Sequence, residues 1–287
     1  MIHAMLNKQR GIMHILITGG SGLIGSAYIK AHPEHHFLCL THQRSDFPAH
    51  CTLVGLLDQI SPSTQIDAII NLAGAPIDQR WSQKNKDTIQ NSRFQTTQAI
   101  IDLIKKLEKK PKQLISASAV GYYLSTNSFS HQLCATWENI ALQANTLNVK
   151  TNILRLAAVL SPNQGLLKKL KLPYQLGLAG HLGPGTQTMN WIHLTDVINA
   201  IDHLLGHEQA GCFDLVAPEI VTQAVFASSY AKSLGRPAFF MIPSWYIKCL
   251  FGQMGEELLL SSNTQNALSL LATGFRFQYP KLKDVFK

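Results

Sequence analysis

Short runs of unbroken apolar residues alternate along this chain with longer stretches in which apolar side chains return every three or four positions. The first run covers 13–18, around "HILIT", and leads into a helical pattern over 23–31. The alternation repeats at 37–41, at 68–72 before a long helix over about 82–107, at 113–117 before a helix over about 132–147, and at 151–156. Strands that are apolar throughout, not at every second residue, are buried on both faces, and strands separated by helices belong to a parallel sheet. The pattern predicts an α/β fold, a Rossmann-type doubly wound parallel sheet. Past residue 160 it weakens into a Gly/Pro-rich loop, "GLAGHLGPGTQ" (177–187), a helical stretch over 190–205 and a strand "CFDLVA" (212–217). From 218 the pattern is helical with breaks and ends in "GFRFQYPKLKDVF". The expected organisation is a leader over 1–12, a nucleotide-binding domain over 13–160 completed by about 190–217, and a small C-terminal lobe from 161–189 and 218–287.

Composition narrows the function classes. At 287 residues, 46% of them apolar and only 15% charged, the chain buries a large core and is neither disordered nor a coiled coil. The net charge of +8 would suit a nucleic-acid partner. The basic residues, however, gather only in "KKLEKKPK" (105–112) and "KKLK" (168–171), with no long stripe or docking motif, so a small anionic ligand is the better account. Five widely spaced cysteines without a CxxC pair indicate free thiols in a reducing compartment. No apolar run reaches the roughly 18 residues a membrane span needs, and the first residues are too polar for a signal peptide. The expectation is a cytoplasmic protein without a membrane partner. His32, His35, His36 and His42 lie at a helix-to-strand turn broken by Pro33, which reads as a solvated turn and not a metal site. Two long helices are compatible with a homodimer.

Gly19, Gly22 and Gly25 follow the first strand and open the first helix. In such a turn the first glycine permits the sharp bend, the second lets backbone approach a diphosphate, and the third lets helix pack on sheet. Leu23 and Ile24 begin the helix, whose free N–H groups and positive end favour phosphate. The rival reading is a plain tight turn. An acid at the end of the second strand would favour NAD, but "FLCLTHQRS" has none before Asp46, and His42 and Arg44 suit a 2′-phosphate. NADP is therefore the expected cofactor, with NAD as the alternative.

With "ITGGSGLIG" joined by "INLAGAPI" (70–77), "LISASAVGYY" (114–123), "WIHLTDV" (191–197) and "GFRFQYP" (274–280), the chain resembles the short-chain dehydrogenase/reductase superfamily. "RW" (80–81), "NSR" (91–93) and "LGRP" (234–237) place it in an atypical, epimerase-like branch with its own C-terminal segment. Bacterial members of that branch are often labelled NAD-dependent epimerases or SulA-like cell-division-inhibitor homologues. The resemblance covers about residues 13–287. It implies an NAD(P)-dependent oxidoreductase or epimerase acting on a small or sugar-like carbonyl or hydroxyl substrate. Asn71, Leu72, Ala73 and Gly74 then run close to the cofactor, and 156–160 lies beside the nicotinamide. Ser118, or Ser116 if the register slips, holds the reacting oxygen, while His193 and Asp196 shape the lobe interface.

One departure matters. Relatives use a tyrosine and a lysine four residues later as an acid–base pair, often with a glutamate four beyond. If Glu138 matches that glutamate, Cys134 takes the lysine place and Ser130 the tyrosine place, and no YxxxK occurs anywhere in the chain. The absence opens a second reading, a dinucleotide-binding regulatory or scaffold protein. Tyr122 and Tyr123 are the remaining phenols for catalysis, or else interface packing. Arg80, Trp81 and Arg93 lie where ligands enter an open α/β sheet and can form an arginine fork for an anion; otherwise Trp81 packs and Arg93 pairs with an acid. His193 is a substrate-side candidate or a structural histidine, Asp196 or Thr195 caps the following helix, and Arg155 seeks a carboxylate.

Overall fold

The computed structural model describes residues 11–41, 47–178, 180–207 and 210–286. Strands β1 (His14–Thr18), β2 (His36–Leu40), β3 (Cys51–Val54), β4 (Ala68–Asn71), β5 (Gln113–Ala119) and β6 (Lys150–Leu156) form one parallel sheet. Four short strands follow: β7 (Ala158–Ser161), β8 (Gly180–Leu182), β9 (Thr188–Met189) and β10 (Trp191–His193). Strand β11 (Gly211–Leu215) then returns to the edge beside β6, giving the order β11-β6-β5-β4-β1-β2-β3. The order reverses between β1 and β4, and the crevice above the carboxyl ends of those strands is where an open α/β sheet takes a ligand.

Burial explains the apolar strands. Ile15 and Ile17 pack under helix α1 (Leu23–Ala31) and helix α5 (Leu194–Leu205), whereas Leu16 faces helix α2 (Gln83–Lys106) and helix α3 (Phe129–Leu142). Both faces are covered, so the interior positions of β1, residues 15–17, are apolar and polar residues stand only at its two ends. Helix α2 starts as the sequence suggests: the Ser82 hydroxyl accepts from the Asn85 N–H, and Lys105 and Lys106 complement the negative end of the dipole. Helix α4 (Gly165–Gln175) and helix α6 (Gln223–Ser233) pack through Leu167, Tyr174, Phe226 and Tyr230 around Trp191 in a separate core.

Three boundaries differ from the sequence reading. Helix α3 begins at Phe129, capped by the Ser128 hydroxyl, and ends at Leu142, beyond which Gln143–Leu147 tightens into a 3-10 turn. The edge strand β3 gives no sequence signal, because it is four residues long and Thr52 and Leu53 are exposed. Beyond 218 the chain includes β12 (Val221–Thr222) and β13 (Phe240–Ile242) besides helices, and the terminal aromatics pack as an irregular extension with Phe275 buried.

Candidate functional site

The glycine turn leaves no room for side chains. Gly19 has φ +71°, and a Cβ there would lie 2.5 Å from the Leu72 carbonyl oxygen. A Cβ on Gly25 would lie 2.3 Å from the Gly19 oxygen, so helix and turn touch backbone to backbone. Gly22 is the N-cap of α1, and a Cβ there would meet only the Gly19 oxygen, at 3.2 Å. No side chain caps that helix and no acid occupies its first turn. The Gly22 N–H bonds the Gly19 carbonyl at 3.0 Å, and the Leu23, Ile24 and Gly25 N–H groups that follow have no backbone partner among the described residues, which is the cradle that a diphosphate requires. The residues present fit a dinucleotide. Leu72, Ala73 and Gly74 form the facing wall: the Leu72 N–H bonds the Thr18 carbonyl at 3.1 Å and the Ala73 N–H bonds the Thr18 hydroxyl at 3.2 Å. Leu23 lies against the start of α4, where a Cβ on Gly165 would come within 2.9 Å of its Cδ2.

Below the cradle runs a row of polar residues. Thr18 and Asn71, at the ends of β1 and β4, and Ser116, inside β5, are register partners. The Asn71 amide accepts from Thr18 Oγ1 at 2.7 Å and donates to Thr97 Oγ1 at 2.9 Å and to Ser116 Oγ at 3.2 Å. Thr97 also accepts from the Trp137 indole at 2.9 Å and donates to the Arg93 carbonyl at 2.7 Å. Every polar atom of Thr97 is used, so the strand ends and α2 are locked in one geometry. Ser116 is thus structural, and the register puts Ser118 one step nearer the crevice.

A second row crosses β5, β6 and β11, in which Ser118, Arg155 and Asp214 are register partners. Ser118 Oγ donates to Glu138 Oε1 at 2.6 Å, and both side chains are buried. Arg155 grips the same carboxylate in a fork, Nε to Oε1 at 2.9 Å and Nη2 to Oε2 at 2.7 Å. Burial alone would lower the Arg155 pKa, but the hydrogen bonds and charge of Glu138 outweigh it and hold the guanidinium above its ordinary value. The carboxylate left open by the sequence is therefore Glu138.

Tyr123 and Tyr122 part company here. The Tyr123 hydroxyl accepts from Arg155 Nη1 at 2.8 Å and donates to Asp214 at 2.9 Å, and burial raises its pKa, so it serves the ion network at the sheet edge. Tyr122 lays its ring 3.6 Å from the Arg155 guanidinium carbon, and its hydroxyl makes no hydrogen bond among the described residues. Cys134 stands beside Ser118 and the Ala119 backbone, where burial pushes its thiol up. A neutral thiol cannot supply the charge of a lysine. Ser130 is withdrawn from the crevice by Glu257, whose carboxylate accepts from its hydroxyl at 2.7 Å and from its N–H at 2.9 Å.

The expected substrate-side residues are only partly assembled. Trp81 takes the packing alternative: its indole donates to the Ile77 carbonyl at 2.9 Å and its ring lies against Phe129 with Ile89, Leu133 and Met254. Arg93 pairs with no acid among the described residues; its guanidinium donates to the Ala75 and Ile89 carbonyls, faces the Trp137 ring, and lies within 2.8 Å of where a Gly74 Cβ would be. Burial lowers its pKa, and it places a positive charge directly under the Leu72–Gly74 wall. Arg80 is exposed and joins no fork with Arg93. His42 and Arg44 lie outside the described residues.

His193 and Asp196 lie where the C-terminal segment meets the core, and only the expected helix cap differs. His193, not Asp196 or Thr195, caps α5, its Nδ1 accepting from the Thr195 N–H at 3.2 Å while its ring stacks on Tyr279 with centroids 3.7 Å apart. Asp196 accepts from the Gln278 and Tyr279 N–H groups at 2.7 and 2.9 Å, so the motif clamps the C-terminal segment to the core. Burial lowers the His193 pKa to about 4. On acidification the unfolded chain takes its proton first, near 6.5. Its contribution is complete above pH 6.5 and is lost as the pH falls toward 4, with a slope of at most about 1.4 kcal/mol per pH unit. Urea midpoints measured at pH 7 and pH 5 should fall on acidification, and His193→Asn, which can still cap the helix, should flatten that fall.

The sequence pattern of the NAD dependent epimerase/dehydratase family matches residues 15–214, which span the whole sheet from β1 to β11. The chain belongs to that family. A second pattern, a domain of unknown function (DUF1731), matches residues 242–287. The epimerase family protein SSP1921 of Staphylococcus saprophyticus is 36% identical over 293 residues, covering 94% of this chain and 97% of that protein. The human epimerase family protein SDR39U1 (isoform 2), solved with NADPH, superposes with a TM-score of 0.85 at 28% identity over 96% of this chain and 98% of that one. UDP-glucose 4-epimerase of Thermotoga maritima, solved with UDP-glucose, shares the fold with a TM-score of 0.74 at 15% identity, covering 96% of each chain. This family member thus combines an NAD(P)-type Rossmann sheet with a C-terminal segment of the DUF1731 type, and among its described residues no group of His, Cys, Asp and Glu is arranged to hold a metal ion.

Proposed function

We propose that the protein binds NADP(H) across the switch point and acts as an oxidoreductase or epimerase on a small or sugar-like substrate bearing a hydroxyl or carbonyl. The observation that carries the reading is the side-chain-free contact of Gly19 and Gly25 with their neighbours beneath an uncapped helix end. The adenosine half is assigned to the depression lined by Leu40, Leu56, Leu57, Asp58, Gln95 and Thr96, at the carboxyl ends of β2 and β3. NADP over NAD is supported by the missing acid after β2, by His42 and Arg44, and by the NADPH in the human relative's structure.

The nicotinamide, when bound, supplies hydride transfer. The chain's part is to orient the substrate and move a proton. With its hydrogen on Glu138, Ser118 Oγ offers lone pairs, so it accepts from a substrate hydroxyl while its own hydrogen passes to Glu138 Oε1. Arg155 keeps that carboxylate aimed at the serine. Tyr122, whose ring lies on Arg155 and whose hydroxyl makes no hydrogen bond among the described residues, is the phenol we assign to donate a proton. A nucleotide-sugar substrate would bring the anion that the basic excess and Arg93 anticipate.

A second reading has its own observation: the buried thiol of Cys134 stands where a lysine would be needed, which favours a protein that binds the dinucleotide and reports on it without turnover. Titration with NADPH and NADH, followed by nicotinamide fluorescence, tests the first step, with tighter binding of NADPH expected. Reduced-cofactor absorbance against a panel of carbonyl compounds and nucleotide sugars tests the second. Turnover that falls at least about 100-fold in Ser118→Ala, and falls in Tyr122→Phe, supports the enzyme. Firm binding with no turnover on any substrate supports the sensor. Absence of binding to either dinucleotide removes both.

A further inference from the structure

Away from the dinucleotide crevice, the C-terminal lobe carries an apolar surface that the fold leaves uncovered. Helix α4 and the turn after it present Leu172, Leu176 and Leu178 to solvent. That segment runs into β8, which pairs in parallel with β13, and Gly180 lies so close to Phe240 that a Cβ on Gly180 would overlap its carbonyl. The pairing joins the α4 end to Phe239, 87% exposed, to Phe240, and to Trp245, 69% exposed, at the start of helix α7 (Ser244–Phe251). Helix α7 buries only Ile247. Contiguous apolar surface of this kind marks a docking site.

The surrounding charges say what docks. Neither 162–187 nor 223–255 contains an aspartate or a glutamate, yet between them they carry Lys168, Lys169, Lys171, Lys232, Arg236 and Lys248. Lys169 and Lys248 are neutralised by Asp78 and Glu256 from outside these stretches, and the other four have no carboxylate partner among the described residues. A second copy meeting this face across a two-fold axis would set the same unpaired cations against one another. Exposed tryptophan and phenylalanine carried with lysine and arginine on the same two acid-free stretches match instead the interface of a bilayer, where aromatic rings settle at headgroup depth and cations meet anionic lipid.

We infer that this face adsorbs to the surface of a bilayer containing anionic phospholipid. The protein lies on the membrane and does not cross it, since no helix among the described residues is long and apolar enough to span one. The expectation of no membrane partner came from the missing span, which does not bear on surface adsorption.

Trp245 reports on the event, because the other three tryptophans, Trp81, Trp137 and Trp191, are buried. The full chain is mixed with vesicles of phosphatidylcholine alone, or of phosphatidylcholine with phosphatidylglycerol, and followed by tryptophan emission and co-sedimentation. The expected result is a blue shift and pelleting with the anionic vesicles only, reversed by salt. Phe239→Ser with Trp245→Ser should abolish pelleting at unchanged melting temperature. Lys168→Ser and Lys171→Ser should each weaken it roughly 5-fold. The inference is overturned if anionic vesicles do not pellet the protein, if neutral vesicles pellet it equally, or if the Phe239→Ser, Trp245→Ser variant binds as the wild type does. It is also overturned if sedimentation in the absence of lipid shows a dimer that this variant disperses.

Discussion

Gly25→Ala is expected to destabilise the protein by roughly 2–3 kcal/mol and to remove its affinity for dinucleotide together. In an ordinary helix the same change gains up to about 1 kcal/mol from propensity. Here the new methyl would sit 2.3 Å from the Gly19 carbonyl oxygen and 2.7 Å from the Gly20 Cα, and backbone, not a flexible side chain, is what it strikes. Helix α1 must lift from the turn, which is an overpacking cost of that order, and its amides move out of line with the crevice. Gly22→Ala is the matched control. Its methyl meets one oxygen at 3.2 Å and otherwise projects into the crevice, so stability should hold within about 0.5 kcal/mol while NADPH binding weakens. Urea unfolding and a fluorescence titration on the two variants read both quantities. If Gly25→Ala unfolds at the wild-type midpoint, helix and turn are not in backbone contact.

Arg155→Met is expected to cost about 3–5 kcal/mol, because it leaves the Glu138 carboxylate buried with no cation. Arg155→Met with Glu138→Gln should recover most of the stability, since a neutral amide can still accept from Ser118 without a buried charge to solvate. Chemical unfolding of the two single variants and the double variant gives the coupling between the residues directly. A coupling near zero would mean the fork contributes nothing to the fold and would weaken its claim to aim Ser118. Tyr123 and Asp214 are the outer partners of the same network.

Much of the architecture was legible because it is written in local periodicity. The limits of α1 are those of the apolar pattern, and the polar Ser82 marks the start of α2. What escaped was short or half-exposed: β3 has too few buried positions to register, and β13 shows Phe240 and Met241 to solvent as though they were loop. The first polar row had a signal that could have been used, since β1 and β4 end in a polar residue, Thr18 and Asn71, and β5 places Ser116 opposite them. A polar residue closing an otherwise apolar buried strand is costly unless a neighbour answers it.

The functional side chains divide along the same line. The glycine turn could be assigned from the chain alone, because its requirement is steric and acts between residues six positions apart. That Cys134 takes the lysine place is what the resemblance implies if Glu138 matches the family's glutamate. The company kept by Ser118 could not be read from the chain. Glu138 lies on a helix, Arg155 and Asp214 on two other strands, and they meet because parallel pairing puts 118, 155 and 214 in one row. Register between strands is a choice made by the whole core, since sliding one strand by a residue would turn all its buried side chains to the opposite face. For the same reason Trp81 and His193, polar-edged residues in suggestive places, became a packing ring and a helix cap once their neighbours arrived from distant parts of the chain. Residue type and spacing decide which chemistry is available; three-dimensional neighbours decide which atoms are free to perform it, because a hydrogen bond already made is a donor already spent.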